Sequence, residues 1–562
     1  MDFVLALHSH LPYVLNHGRW PHGSDWLCEA ALDSYLPLIQ ALRRLEAERI
    51  PAPVTIGVTP VLANQLASAT FAGEMEAFFA QRLLACDEAP ASLAATAEGH
   101  LLPLVDFWRA RWTALRELFH EIGGDIVAAL RGLEGAGRLE LITSAGTHGF
   151  LPLLARDESI RLQLAIGRTE HRRHFGRDPQ GIWLPECAYR PRGPWQPWQT
   201  APRAGIRRGI EEHLGDAGFH YFFVDSHLAS AGRPLGVYGD SLGDRAAAAP
   251  GEPGLGISHR SPYAAYQVAH PRSAGIAALV RDPRSSMQVW SRFQGYPGDG
   301  RYLEFHKMRW PGGLKLWRVT DGHVDLGGKQ PYDPGGALAT AGGHAEHFAG
   351  LLAEIQAGER QRRDGVIVAP FDTELFGHWW FEGADWLAAV YRTLARDPRG
   401  VRPVTASRHL AQHPARQAIR LPSGSWGANG DFSMWLGANT VWTWERLWPL
   451  EERFWDTAHT AIASPAARPV LAQAARELLL AQASDWQFII STGAAADYAE
   501  RRFREHCDDA SDLLAALAPG ASDGLPRAQQ RAESLARRDD IFPDVLSGVA
   551  AALGGSRALV IG

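Results

Sequence analysis

Three stretches of this 562-residue chain put chemically capable side chains directly after short apolar runs. The first is His8-Ser9-His10, after the apolar run 3–7. On a strand, alternate side chains share a face, so both histidines point the same way. Two such imidazoles can hold zinc with a carboxylate, or can orient a substrate or a carboxylate by hydrogen bonds. The second stretch is Trp183-Leu184-Pro185-Glu186-Cys187-Ala188-Tyr189. A glutamate at the end of a buried run is poorly placed for a core unless it is paired, so Glu186 is either bonded to an arginine or functional. The third, Phe371 to Trp380, holds Asp372, Glu374, His378, Trp379 and Trp380 within ten residues. Carboxylates beside aromatic rings suit sugar chemistry, because C–H faces pack on the rings and hydroxyls need polar partners. Two carboxyl groups flanking one bond are what glycoside cleavage requires. A fourth cluster, Ser425-Trp426-Gly427 with Trp435, Trp442 and Trp444, lies among Gly and Asn residues that mark a loop, where tryptophans can wall a ligand or fill a core.

These groups need a scaffold. Short apolar runs recur at 3–7, 54–58, 139–143, 181–184, 221–224 and 366–369, each followed by a polar cluster. Such runs read as strands buried on both faces, as in parallel sheets. Helical patterns lie between them, for instance at 35–49 and 159–175. The alternation predicts an α/β barrel or a doubly wound sheet, and in a barrel the polar clusters would sit where active sites are built. Residues 61–137 read as a helical insertion. Residues 226–286, rich in Gly, Pro, Ala and Ser, read as a loop-rich lid. Beyond about residue 400 strand signals stop. Segments 465–483 and 498–516 read as helices, and 523–538 with the Ala-rich end as a surface tail.

Composition narrows the function. Lys and Arg number 56 against 62 Asp and Glu, a formal charge of −6, which disfavours a nucleic-acid partner. No apolar stretch is long enough for a membrane span, and no signal peptide leads the chain. The four cysteines, Cys28, Cys86, Cys187 and Cys507, form no C-x-x-C pair and read as reduced thiols of a cytoplasmic protein. Twenty tryptophans beside five methionines are the compositional oddity.

HSHLPY, SAGTHGFLPLL, WLPECAY, QVWSRFQGYPGD, FDTELFGHWWFEG, SWGANGDFSMWLG and SDWQFIISTGAAADYA together resemble glycoside hydrolase family 57, in its 1,4-α-glucan branching enzyme group. The motifs run in order from His8 to about Tyr498. The resemblance implies a (β/α)7 barrel over 1–400, with the insertion and lid within it, and a helical domain over 401–562 that completes the cleft. It implies a monomer that cleaves an α-glucan polysaccharide by retaining chemistry, without metal or cofactor, and transfers the chain to a 6-hydroxyl. An amylase-type hydrolase or a 4-α-glucanotransferase is the alternative on this scaffold. By motif, Glu186 is the expected nucleophile and Asp372 the general acid/base. His10, His148, Trp290, Trp426, Trp435 and Asp485 are expected in or beside the substrate cleft. Tyr238 is the expected lid residue. Related zinc families start with His-x-Asp; His-Ser-His here argues against metal.

Overall fold

The computed structural model describes residues 1–96, 98–202, 204–237, 260–268, 275–290, 295–310, 312–518 and 524–554. Seven parallel strands build its centre: β1 (Asp2–Ser9), β2 (Thr55–Val58), β3 (Glu140–Ser144), β4 (Gly181–Trp183), β5 (Tyr221–Val224), β6 (Ile276–Val280) and β7 (Val366–Asp372). They lie side by side in the order β7-β1-β2-β3-β4-β5-β6. A parallel bridge between Arg281 and Val368, with the Asp282 N–H donating to the Val368 carbonyl at 2.8 Å, joins β6 to β7 and closes the ring. Along β1 every residue is buried, but the two faces serve different cores. Val4 and Ala6 fill the barrel interior with Ile142, Trp183, Phe223 and Val368. Phe3, Leu5 and Leu7 face the surrounding helices. The register pairs His8 with Asp372 across β1 and β7, so the first and last strands bring their polar ends to one level.

The sequence reading found six of these strands and missed β6, which lies inside the segment taken as a loop-rich lid. That segment also holds the helix Ser226–Ala231, the strands Arg233–Val237 and Tyr266–Val268, and the helix Pro283–Trp290. Two short strands, Arg402–Pro403 and Gln417–Arg420, lie beyond residue 400, where none was expected; they pair with β1 and with Tyr266–Val268. Between β2 and β3 the chain is helical, at Pro60–Leu66, Ala69–Ala95, Leu102–Glu121 and Ile126–Gly135.

The later helices Val441–Ala461, Arg468–Ala481, Asp485–Thr492 and Ala496–Ala516 pack beside the barrel. Trp444, Trp448 and Trp455 lie on one buried face of the first of them, and each indole N–H finds an acceptor: Trp435 O, Leu153 O and Ser159 Oγ. Part of the tryptophan surplus is therefore cement between barrel and helices. The expected surface tail is packed instead. After the helix Leu525–Ala536, Asp539 and Phe542 are fully buried, and the helix Val545–Gly554 lies on Asp157–Phe175, where Gly548 leaves room for Leu162 and Ile166. Among the described residues no helix is long and apolar enough to cross a membrane.

Candidate active site

The polar ends of the barrel strands converge with the loop 424–436 and the start of the helix Asp485–Thr492 on a cleft of about 580 Å³. Glu186, Asp372, His10, His148, Trp290, Trp426, Trp435 and Asp485 all line it. Tyr238 lies outside the described residues, as do 238–259 and 269–274 of the expected lid.

Glu186 sits on a tight turn after β4. It has φ 59° and Cys187 has φ 48°, left-handed conformations that cost non-glycine residues on the order of 1 kcal/mol each. Its carboxylate accepts from the Trp426 indole N–H at 2.9 Å and from Ser484 Oγ at 3.0 Å. Burial pushes its pKa up to about 7, helped by the Asp485 charge and opposed by those two hydrogen bonds. His148, also left-handed at φ 59°, bonds Ser484 Oγ at 2.9 Å and lies 3.7 Å from Glu186 Oε1.

Asp372 ends β7. Burial, then the charges of Glu374 and Glu186, hold its carboxyl well above the usual range; Arg281 opposes them. Among the described residues no donor bonds this carboxyl. Glu374, two residues on, differs: Tyr35 O–H donates to it, as does the His10 backbone N–H at 3.1 Å. Tyr35 reaches it from a π-helical turn, Ala31–Tyr35, spliced between the helices Ser24–Ala30 and Leu36–Ala47. Such one-residue bulges in helices often accompany functional sites.

The histidines divide. Burial alone would lower the His10 pKa, but Asp485, whose two oxygens lie 3.0 Å from Nε2, raises it, with Glu374 and Glu186 adding to the effect. Burial and the His10 charge push His8 and His148 well below the ordinary value, so both are neutral near pH 7. Their Nε2 atoms are 3.0 Å apart, which requires one to donate and one to accept. His10, His148 and Asp485 could bring three ligand atoms within 4.8 Å of one another. Both His148 nitrogens are already spent on His8 and Ser484, and the His10 nitrogens on Thr59 and Asp485, which is the pattern of a hydrogen-bonded network.

Aromatic rings wall the cleft. Trp290 and Trp426 meet edge to face at 6.0 Å, with the Arg281 guanidinium 5.8 Å from each ring and anchored by Asp225 and Ser286. Trp435 stacks on Phe150, and Trp379, half exposed, stands at the rim. Three tryptophans that lie within the motifs are core. Trp183 lies beneath His8 inside the barrel, its ring stacked on the imidazole at 4.8 Å. Trp380 and Trp486 are buried away from the cleft. The sequence reading named Glu374 among the capable side chains without giving it a role, and did not single out Ser484, Thr59, Tyr35 or Arg281. Glu374 and Ser484 lie within the motifs FDTELFGHWWFEG and SDWQFIISTGAAADYA and were within reach; nothing local in the sequence marks Tyr35, Thr59 or Arg281.

Comparison with known proteins matches residues 4–422 to the model for glycosyl hydrolase family 57 and residues 447–547 to the model for the 1,4-alpha-glucan branching enzyme C-terminal region. The chain is 39% identical to a 1,4-alpha-glucan branching enzyme of Thermococcus kodakarensis, over 97% of this chain and 78% of that protein. The crystal structure of a GH57-type branching enzyme from Pyrococcus horikoshii superposes with a TM-score of 0.87 at 37% identity, covering 97% of this chain and 96% of that one. An α-amylase of Thermotoga maritima superposes with a TM-score of 0.78 at 27% identity, covering 100% and 99%.

Proposed function

Because the chain belongs to glycosyl hydrolase family 57, we propose that it is a 1,4-α-glucan branching enzyme working by retaining double displacement. Asp372, protonated, gives its proton to the glycosidic oxygen while the Glu186 carboxylate attacks the anomeric carbon. The C–O bond breaks, and the donor chain is held as an ester of Glu186. Asp372, now ionised, takes the proton from the 6-hydroxyl of an acceptor chain, whose oxygen displaces Glu186 and forms the α-1,6 branch. Two inversions preserve the α configuration. His10, bonded to Thr59 and Asp485, and His148, bonded to His8 and Ser484, hold the polar wall of the cleft in place, and Trp290, Trp426 and Trp435 pack against the sugar rings.

The contrast in hydrogen bonding carries this division of roles. Glu186 accepts from Trp426 and Ser484, which favours its anion. Asp372 has no such donor among the described residues and lies beside the charges of Glu374 and Glu186, which favours its neutral form. Residues 1–400 form the barrel with its insertion, and 401–562 complete the cleft, contributing Trp426, Trp435, Ser484 and Asp485. The negative charge suits a neutral polymer that needs no basic groove, and four free, buried cysteines suit a reducing cytoplasm. The described residues of the cleft all come from one chain, which is compatible with a monomer.

Likeness to an α-amylase supports a second reading, in which water replaces the acceptor hydroxyl. Linkage analysis of the product from linear amylose decides between them. New α-1,6 linkages are expected; shortened chains with α-1,4 linkages alone would refute branching. Glu186→Gln should lower turnover by on the order of 10⁴-fold with the fold intact, and a fully active variant would refute its role.

A further inference from the structure

A fourth histidine lines the cleft, and the proposed mechanism gives it no task. His378 lies on the loop that follows Asp372, with its side chain 18% exposed. Its two ring nitrogens have different surroundings. Nδ1 is enclosed, without a hydrogen bond, 3.8 Å from an Asp33 oxygen. Nε2 is not enclosed in this way; it is the nitrogen left to the cleft, and it bonds no described residue.

The π-helical turn Ala31–Tyr35 holds this loop with three consecutive residues. Asp33 faces the imidazole, Ser34 Oγ accepts from the His378 backbone N–H at 3.1 Å, and Tyr35 donates to Glu374. Trp379 meets the His378 ring edge to face at 4.9 Å. Ion pairing does not account for the ring. Asp33 already has Lys315 Nζ at 3.1 Å, and Lys315 lies 3.8 Å from Glu29, which has Arg82 at 4.0 Å. Two cations thus face two carboxylates without the imidazole. Glu29, Asp33 and His378 could gather round a metal ion, but the Lys315 ammonium already supplies a positive charge there. Lys315 is itself fixed, since its carbonyl accepts from the Trp108 indole N–H at 2.6 Å. Burial would raise the Asp33 pKa, but Lys315 and His378 outweigh it, so this carboxyl is ionised at neutral pH. An anion opposite Nδ1 favours the tautomer with the proton there, which leaves Nε2 as an acceptor for a hydroxyl.

Placement on the loop indicates which hydroxyl. The acid/base group must reach the glycosidic oxygen, so the leaving chain, and later the acceptor chain, lie on the Asp372 side of the reacting carbon. Trp426 and Ser484, which bond Glu186, come from other segments, whereas His378 and Trp379 ride on the loop of Asp372 itself. We infer that His378 Nε2 accepts a hydrogen bond from a hydroxyl of the acceptor glucan, with Trp379 packing beside that chain and Asp33 and Lys315 as positioning residues. The inference rests on the branching reading, and it makes His378 a residue that favours an acceptor chain over water.

Each cleavage of amylose ends in a new α-1,6 linkage or in a new reducing end, so counting both gives the ratio of transfer to hydrolysis. His378→Phe keeps a flat ring and loses the accepting atom. It should lower that ratio about tenfold, the worth of one hydrogen bond, with hydrolysis little changed. His378→Gln, whose amide oxygen can accept instead, should recover most of the ratio, and Asp33→Asn should lower it by less than His378→Phe does. If His378→Phe does not fold, His378→Ala against His378→Gln makes the same comparison. An unchanged ratio overturns the inference, and so does an equal loss of transfer and hydrolysis, which a merely structural role would give. If the wild-type protein makes reducing ends alone, the branching reading fails. Calorimetric titration of maltoheptaose into the Glu186→Gln protein then decides: adding His378→Phe weakens binding about tenfold if His378 touches glucan, and unchanged binding overturns its role.

Discussion

Glu186, Asp372 and Glu374 are three buried carboxyl groups that differ in who donates to them, and this difference sets the pH response. The proposed mechanism needs Glu186 ionised and Asp372 protonated, so kcat/KM on amylose should be bell-shaped, with its acid limb near pH 7, where burial has pushed Glu186. Trp426→Phe removes a donor that favours the Glu186 anion, so the acid limb should move to higher pH. Glu374→Gln removes the charge that acts on Asp372 more strongly than Glu186 does. With less to repel, Asp372 gives up its proton more readily, and the alkaline limb should fall by about one pH unit. A pH–rate profile of the two variants checks both, and an unmoved alkaline limb in Glu374→Gln would remove Glu374 from the proton's environment. The two carboxyl groups proposed to react stood out in the sequence because each lies in a motif directly after an apolar run, and the structure places both on the cleft. The donors lie far off along the chain: Ser484 is 298 residues from Glu186, and Tyr35 is 339 residues from Glu374, so only folding brings them together.

At the level of elements, strands of branched and aromatic residues such as Val366–Asp372 were readable, because a continuous apolar run bounded by polar residues has few other meanings. Ile276–Val280 was not, since its centre is Ala-Ala and Gly- and Pro-rich sequence surrounds it. The final helices were hidden for a related reason: alanine-rich sequence with few large apolar residues looks like exposed chain until a partner covers it. The π-helical turn Ala31–Tyr35 gave no signal either, yet it carries Ser34 and Tyr35 to the loop that follows β7. That junction leaves no space for a side chain at Gly377, whose φ is 137° and where a Cβ would lie 1.8 Å from the Asp33 carbonyl oxygen. Gly377→Ala should therefore destabilise the protein by about 3 kcal/mol, through strain and a displaced loop. Urea unfolding measures this, and a loss under about 0.5 kcal/mol, the range of a neutral surface change, would mean that the junction yields freely.

Over the whole molecule, buried neutral histidines make the fold sensitive to acid, while buried carboxyls with raised pKa, such as Glu186 and Glu451, act in the opposite sense. Burial lowers the pKa of His8, His148 and His506 well below 6.5, the ordinary histidine value. The unfolded chain takes up protons at these sites below pH 6.5 while the folded chain refuses them. Their contribution is complete above that pH and is lost as pH falls through it, by about 1.4 kcal/mol per group per pH unit. His506→Gln should therefore make the fall of unfolding free energy below pH 6.5 shallower by about 1.4 kcal/mol per pH unit, and an unchanged slope would contradict it. Barrel and later segments share the site, because both donors to Glu186 come from beyond residue 400. Synthesis runs from the N-terminus, so the barrel strands, including both reacting carboxyl groups, emerge from the ribosome first. Until Trp426 and Ser484 follow, Glu186 lacks the bonds that hold it as an anion. If Glu186 and Asp372 react as proposed, a growing chain carries the pair in a silent form until the donors to Glu186 beyond residue 400 have been made.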